Sequence, residues 1–262
     1  MIFEIIMQYY LVIIFFFIMV FIERKYPLRE KKFSVKKRVL INLSFAFISF
    51  IIARSFSYPI IFIVRGIFGE DHFGILKILE FSAILSFIFS FIFLDYSQYV
   101  WHRINHSIPF FWTFHKVHHS DPDLDASTAF RFHFGEQFFA QFFRFFVIML
   151  FAVQMEYVLI YDFISLFAIV FHHSNYYFKY DKILSRVIVT PSIHSIHHSR
   201  DFSEMNSNFS VVFSFWDRFH RSFKMTENVA MIKIGLNDIA ENDANKLLNI
   251  LVWPFNKKDK GS

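Results

Sequence analysis

Residues 5–22 form eighteen consecutive positions without a charge, close to the length an α-helix needs to cross a bilayer. Glu4 stands where a signal peptide would carry its basic start, and no small-residue cleavage pattern follows, so the run is expected to stay as a membrane helix. Residues 23–38 then hold Arg24, Lys25, Arg29, Lys31, Lys32, Lys36, Lys37 and Arg38 against Glu23 and Glu30. Such a loop stays cytoplasmic under the positive-inside bias, which puts the N-terminus outside. Residues 39–64 return across the bilayer, with Arg54 snorkelling or facing the bundle. Residues 81–94 begin a third crossing whose helix runs on through Asp95 to Trp101. Residues 138–170 are apolar enough for a hairpin of two more helices, interrupted by Arg144, Glu156 and Asp162; pairing in the interior or snorkelling is expected of Arg144 and Asp162. The expectation is an all-α integral membrane protein of four to five membrane helices with a cytoplasmic helical lobe.

Composition agrees. Hydrophobic residues make up 55% and aromatics 22%, including 42 phenylalanines, well outside the range of ordinary soluble domains. The net charge of +5 sits beside apolar runs, which points to anionic lipid head groups and not to nucleic acid. With no cysteine, disulfides, Cys-ligated zinc, iron–sulfur clusters and haem-thiolate chemistry are excluded. No window after residue 171 is long enough to span. The tail carries one helical pattern, residues 244–252, with Leu247, Leu248, Ile250 and Leu251 on its apolar side.

The thirteen histidines cluster. His102 and His106 form an HxxxH; His115, His118 and His119 an HxxHH; His194, His197 and His198 a second HxxHH. His133 stands near Glu136, and His172 and His173 close the last apolar run. Spacings of three and four put side chains on one helix face, so each HxxHH is expected to aim its three imidazoles at one point. Imidazole is the commonest protein metal ligand, and the eight rings of the HxxxH and the two HxxHH exceed the needs of one ion, so two ions sharing a site is the economical reading. His72 and His220 lie outside the clusters and are read as ordinary residues. Because the boxes follow the third and fifth apolar runs, the site is expected at the cytoplasmic membrane interface, where a lipid would reach it from the bilayer.

His102–His106, then Trp112 to Ser120, then Ser127 to His133, then Thr190 to Asp201, then Asn208, Phe209 and Trp216-Asp217-Arg218 together resemble the fatty acid hydroxylase/sterol desaturase superfamily. Gly235 and the closing Trp253-Pro254-Phe255 look like its bacterial sterol-desaturase-like branch. The resemblance covers about residues 85–255 and implies a membrane di-iron oxygenase that hydroxylates or desaturates a lipid with O₂. It implies as metal ligands His102, His106, His115, His118, His119, His173, His194, His197 and His198, with His133 and His172 as possible additions. Two iron ions are implied, with zinc a substitute in purified protein. Glu136, Asp201 and Asp217 are candidates to compensate the metal charge from outside the ligand set. Here Phe134 replaces the proline of a relative's His-Pro-x-Glu, and Phe219-His220-Arg221 replaces the usual Phe-Gly-Thr.

The organisation read from this is residues 1–84 as membrane helices and basic loop, 85–224 as the catalytic domain, and 225–262 as a cytoplasmic tail. The implied setting is a bacterial inner membrane. No flavin or nicotinamide fingerprint is present, so electrons are expected from a separate donor, a ferredoxin or small cytochrome with its reductase, and the basic loop is one docking surface for it. Two rivals remain: a membrane zinc hydrolase, against which stands the lack of an HExxH, and a non-catalytic metal-binding scaffold. The topology is testable with reporter fusions at Lys32 and at Ser262. Both are expected to read cytoplasmic; an external reading at Lys32 reverses the orientation.

Overall fold

A computed structural model describes residues 2–68 and 74–256. Its long helices are α1 (Ile2–Lys25), α2 (Val35–Phe68), α4 (Ala83–Ser107), α6 (Phe134–Phe151) and α7 (Met155–His173), with the four-residue α3 (Ile75–Ile78) before α4. The helical segment α5 (Pro109–His119) follows α4 directly. Four short helices follow α7: α8 (Asp181–Leu184), α9 (Pro191–His197), α10 (Phe202–Met205) and α11 (Phe215–Phe219). The last helix is α12 (Leu247–Val252), and among the described residues pairing between extended segments is limited to isolated bridges. The all-α membrane class is borne out: α4, α6 and α7 are each long and apolar enough to cross a membrane. The runs at residues 5–22 and 39–64 each lie within one unbroken helix. His72 falls outside the described residues, as does the side chain of Arg54.

Local chemistry sets the ends. Ser82 caps α4 by accepting from the Leu85 N–H at 3.5 Å. Pro109 opens α5 at a position that needs no N–H donor. His133 caps α6, its Nδ1 accepting from the Gly135 N–H at 3.0 Å. The α6–α7 hairpin turns at Ala152, whose φ of 52° is left-handed. Gly74 packs on that turn; a Cβ there would sit 2.4 Å from the Ala152 Cβ, so only glycine permits the approach. Between the two helices of the hairpin Arg144 pairs with Asp162, as expected of those two residues, but the pair is only partly buried.

The five long helices alternate in direction and each brings one end to the lobe. Glu23 at the end of α1 accepts from the backbone N–H groups of Ala126 and Asn175, both at 3.0 Å. At the start of α2, fully buried Arg38 donates to Asp121 Oδ1 at 2.8 Å, to Asp125 Oδ2 at 2.6 Å and to the Asp123 carbonyl. Asn42, one turn further, donates to Asp121 Oδ2 at 3.0 Å and to Ser127 Oγ at 2.9 Å. Lys31 bridges Glu23 at 3.0 Å and Asp125 at 3.1 Å. The basic loop is therefore not wholly a free surface. Lys31 and Arg38 are spent inside the protein, while Arg24, Lys25, Lys36 and Lys37 stay exposed.

The tail helix begins at Leu247, three residues later than the sequence pattern suggests. Arg131 accounts for the delay: its guanidinium donates to the Ala244 carbonyl at 2.8 Å and holds that stretch in turns. Ile250 and Trp253 then pack with Ile41, Phe45 and Val117, so the tail caps the lobe over α2 and α5. Removing one partner from a buried charge cluster leaves the others uncompensated, at about 3–5 kcal/mol. Arg38→Met is therefore expected to lower thermal stability of the detergent-purified protein strongly. Lys246→Met, which breaks only the exposed pair with Asp243, should cost about 1 kcal/mol or less in the same melt.

Candidate metal centre

Four elements deliver the histidines. The last turns of α4 carry His102 and His106; α5 carries His115, His118 and His119; α7 ends on His173; α9 carries His194 and His197, with His198 as its C-cap. The nine rings fall into two groups. His102, His106, His115, His119 and His197 form one; His118, His173, His194 and His198 form the other, and within each group the ligand nitrogens all lie within 4.8 Å of one another. These are the nine histidines implied as ligands by the resemblance.

The expectation that each HxxHH converges on a single point is corrected. Successive residues turn about 100° around a helix, so His118 and His119 flank His115 on opposite sides. His118 joins the second group while its two neighbours join the first. The α9 box splits the other way, with His197 in the first group and His194 and His198 in the second. Each HxxHH thus serves both groups and ties them together.

Hydrogen bonds decide which nitrogen faces inward. His102 Nδ1 meets the Phe209 carbonyl at 2.8 Å, His197 Nδ1 the Ser207 carbonyl at 2.7 Å and His173 Nδ1 the Ile169 carbonyl at 2.8 Å. A carbonyl only accepts, so each of these rings carries its proton on Nδ1 and leaves a lone pair on Nε2. His115 Nδ1 meets Glu136 Oε1 at 2.8 Å, with the same consequence. His102 Nε2 and His115 Nε2 then face each other at 3.1 Å, lone pair to lone pair. His173 Nε2 lies 3.1 Å from His118 Nε2 and 3.0 Å from His194 Nε2. Further buried ring nitrogens, among them His106 Nε2, both of His119 and His197 Nε2, have no partner in the protein. Converging lone pairs and orphaned buried nitrogens are costly alone and suit a bound cation.

The surroundings hold this arrangement. Glu136 reaches His115 because Gly135 lets α6 approach α5; a Cβ at Gly135 would lie 2.6 Å from the Phe114 ring. Phe132 stacks on His118 with ring centroids 4.5 Å apart, and Trp112 packs on His106 at 5.0 Å and His119 at 5.4 Å. All four rings of the second group are buried, whereas His102 and His106 in the first are half-buried. The first group is the more open of the two.

The remaining candidates divide. Asp217 is buried and touches no ring directly. It accepts from the backbone N–H groups of Phe209 at 2.8 Å and Ser210 at 2.9 Å, and so holds the segment whose carbonyl fixes His102. Asp201 is exposed and caps α10, accepting from the Ser203 N–H at 2.7 Å, a role in helix ending and not in charge compensation. His133 turns away: its Nδ1 caps α6 and its Nε2 donates to the Leu251 carbonyl at 3.0 Å. His172 is buried with its ring 4.1 Å from that of His194, yet belongs to neither group. His220 lies apart, bonded to the Tyr96 hydroxyl at 3.1 Å. Sequence reasoning missed Asn206, whose Oδ1 lies 3.3 Å from His106 Nδ1, and Asp95. Asp95 accepts from Trp216 Nε1 at 2.8 Å, Tyr161 Oη at 3.1 Å and two backbone N–H groups, pinning residues 212–216 to α4. An isolated carboxylate in an apolar run was the signal for Asp95; the carbonyl partners of the histidines leave no mark in the sequence.

With this geometry in view, likeness to known proteins can be placed on it. The fatty acid hydroxylase family profile matches residues 87–222, just over half of the chain. The chain belongs to the fatty acid hydroxylase family. It is 30% identical to alkylglycerol monooxygenase of Xenopus tropicalis over 139 residues, 51% of this chain and 29% of that protein. It is 26% identical to an ornithine lipid hydroxylase of Rhizobium tropici over 166 residues, 63% of this chain and 49% of that protein. Human cholesterol 25-hydroxylase is 27% identical over 134 residues, 50% of this chain and 48% of that protein. The chain spans about a third of the length of the alkylglycerol monooxygenases it matches. No solved structure matches it.

Burial, and then the neighbouring histidines, push His118, His119, His194, His197 and His198 well below the ordinary value of 6.5. The unfolded chain therefore binds more protons than the folded one as pH falls below 6.5, and folded stability falls with it. Chelator-treated protein is expected to lose thermal stability on acidification from pH 6.5 toward those lowered values. It should hold its stability above pH 6.5.

Proposed function

We propose that this chain is a membrane-bound lipid hydroxylase that uses O₂, with one iron ion in each histidine group and zinc able to take their place in purified protein. The observation that carries the reading is the pair of adjacent groups of inward-facing imidazole nitrogens, five and four, linked through the two HxxHH boxes. Neutral imidazoles suit iron and zinc alike. Bound iron would supply the activation of O₂ that oxidation of an unactivated C–H bond requires. Hydroxylation is favoured over desaturation because the relatives bear the names monooxygenase and hydroxylase.

The chain's own residues do the rest. The Phe209, Ser207 and Ile169 carbonyls and Glu136 hold a proton on each Nδ1 and so keep Nε2 ready as a ligand. Phe132, Trp112 and Phe209 pack against the rings and keep water from them. The half-buried side at His102 and His106 is the approach for the reacting part of a lipid. The lipid class rests on the relatives, which act on an alkylglycerol, an ornithine lipid and a sterol by their names. A separate ferredoxin or small cytochrome with its reductase supplies electrons, and the site faces the cytoplasm of a bacterial inner membrane. The assignment of catalytic chemistry to residues 85–224, between membrane helices and a tail, belongs to the same proposal.

Metal analysis of the purified chain and lipid profiling with labelled dioxygen test the reading. His197→Ala and His198→Ala strike different groups, and each is expected to lower bound metal and remove the product. Glu136→Gln should weaken metal affinity about 10–100-fold while leaving every ligand in place. Label incorporated into a lipid supports hydroxylation. Full metal content and turnover in both histidine variants would sink the catalytic assignment.

A further inference from the structure

Outside the metal groups, the lobe carries a surface of unusual composition. Residues 177–187 expose Tyr177, Tyr180, Ile183 and Val187, and residues 213–221 expose Phe215 and Phe219; Ile183 is 65% and Phe219 77% exposed. Exposed Lys179, Lys182, Arg186 and Arg221 interleave with them, and the acidic residue met there, Glu227, pairs with Lys182 at 2.7 Å. The two strips form one rigid face. The Ser214 N–H donates to the Val187 carbonyl at 2.9 Å, Ser214 Oγ to the Ser185 carbonyl at 2.6 Å and Arg218 to the same carbonyl at 3.0 Å.

The height of this face follows from its contacts with α4, a helix long and apolar enough to cross a membrane. The Phe213 ring packs on Phe91 at 5.7 Å, and Trp216 packs on Tyr96 at 4.8 Å while donating to Asp95. At 1.5 Å per residue, Asp95 and Phe91 lie about 10 and 16 Å back from His102 along α4, on the membrane side of the histidines. Residues 213–216 therefore lie alongside the apolar length of α4. Phe215 and Phe219 extend from that contact, where water is not the natural neighbour.

We propose that the face formed by residues 177–187 and 213–221 is seated in the headgroup–acyl boundary of the bilayer and binds anionic lipid headgroups. Aromatic and branched side chains enter the boundary, and the interleaved cations meet phosphate above it, the arrangement of an interfacial segment. The consequence is specific to this chain. Residues 177–187 join His173 to His194, so the link between two histidines of the buried group is itself anchored on the membrane. This inference stands without any assumption about metal or reaction. It adds a membrane contact to the helical lobe expected on the cytoplasmic side.

The chain has no cysteine, so single reporters can be introduced without background. Spin labels at Ile183→Cys and Phe219→Cys are read in the full-length protein, reconstituted in nanodiscs of phosphatidylcholine with phosphatidylglycerol. A label at Asp238→Cys, exposed and polar, is the reference. The first two labels are expected to relax more with O₂ than with a water-soluble nickel chelate, and the reference the reverse. The double charge reversal Lys179→Glu with Arg186→Glu should raise nickel accessibility at Ile183→Cys in the anionic discs and leave it unchanged in pure phosphatidylcholine. Nickel-dominated relaxation at both test sites overturns the seating. Spin–spin broadening that grows with protein density assigns the face to a second copy and overturns it too. Indifference of the charge-reversed chain to lipid composition overturns the headgroup recognition.

Discussion

Two imidazole nitrogens 3.1 Å apart, with both rings denied a proton on the facing nitrogen, turn their lone pairs on each other and repel. The rest of the lobe is arranged to keep such rings where they are. Backbone carbonyls and a carboxylate fix the protons on the outer nitrogens, aromatic rings pack behind them, and membrane helices supply the ends from which they project. An unpartnered buried polar group costs about 1–3 kcal/mol. A site with several of them persists because the fold surrounding it is strongly determined, and the proposed cations would offset the cost.

That determination comes from charge as much as from apolar packing. Arg38, Asp121, Asp125, Lys31 and Glu23 make a buried network that joins the end of α1, the start of α2 and the loop after the first HxxHH. Arg131 extends it to the Val117 carbonyl within α5 and to the tail. Asp95 and Asp217 do the same work on the other side, each collecting two consecutive backbone N–H groups of residues 209–213. The segment that orients His102 and His197 is thus held by carboxylates reaching from α4 and α11. Several charged residues, Arg38, Asp95, Asp121, Asp125, Arg131 and Asp217 among them, are spent inside, while many large apolar residues lie outside. That inversion suits a chain whose surroundings are largely lipid.

Much of this was legible beforehand. Charge-free runs marked the long helices because a helix in lipid must satisfy its own backbone and needs about twenty apolar residues to cross. Eight of the nine grouped histidines were identifiable because they cluster at spacings of three and four, and His173 followed from the family resemblance alone. Glu136 stood out as a carboxylate beside the boxes, and it bonds His115. Asp201 stood out equally and caps a surface helix, because proximity in sequence to His198 says nothing about which way the chain turns afterward.

The sequence by itself determined the kind of protein: helices suited to lipid, no thiol chemistry, and an excess of imidazoles on one side of the apolar runs. Only the tertiary structure decided how those imidazoles are shared. A helix presents His118 and His119 about 100° apart, but which group each ring enters depends on where α7 and α9 meet α5. Likewise, Asp217 acquires its role only when residues 209–210 fold back onto it, and the basic loop loses Lys31 and Arg38 to carboxylates more than eighty residues away for Arg38. Spacing along one element fixes angles, whereas partners separated widely in sequence are chosen by packing.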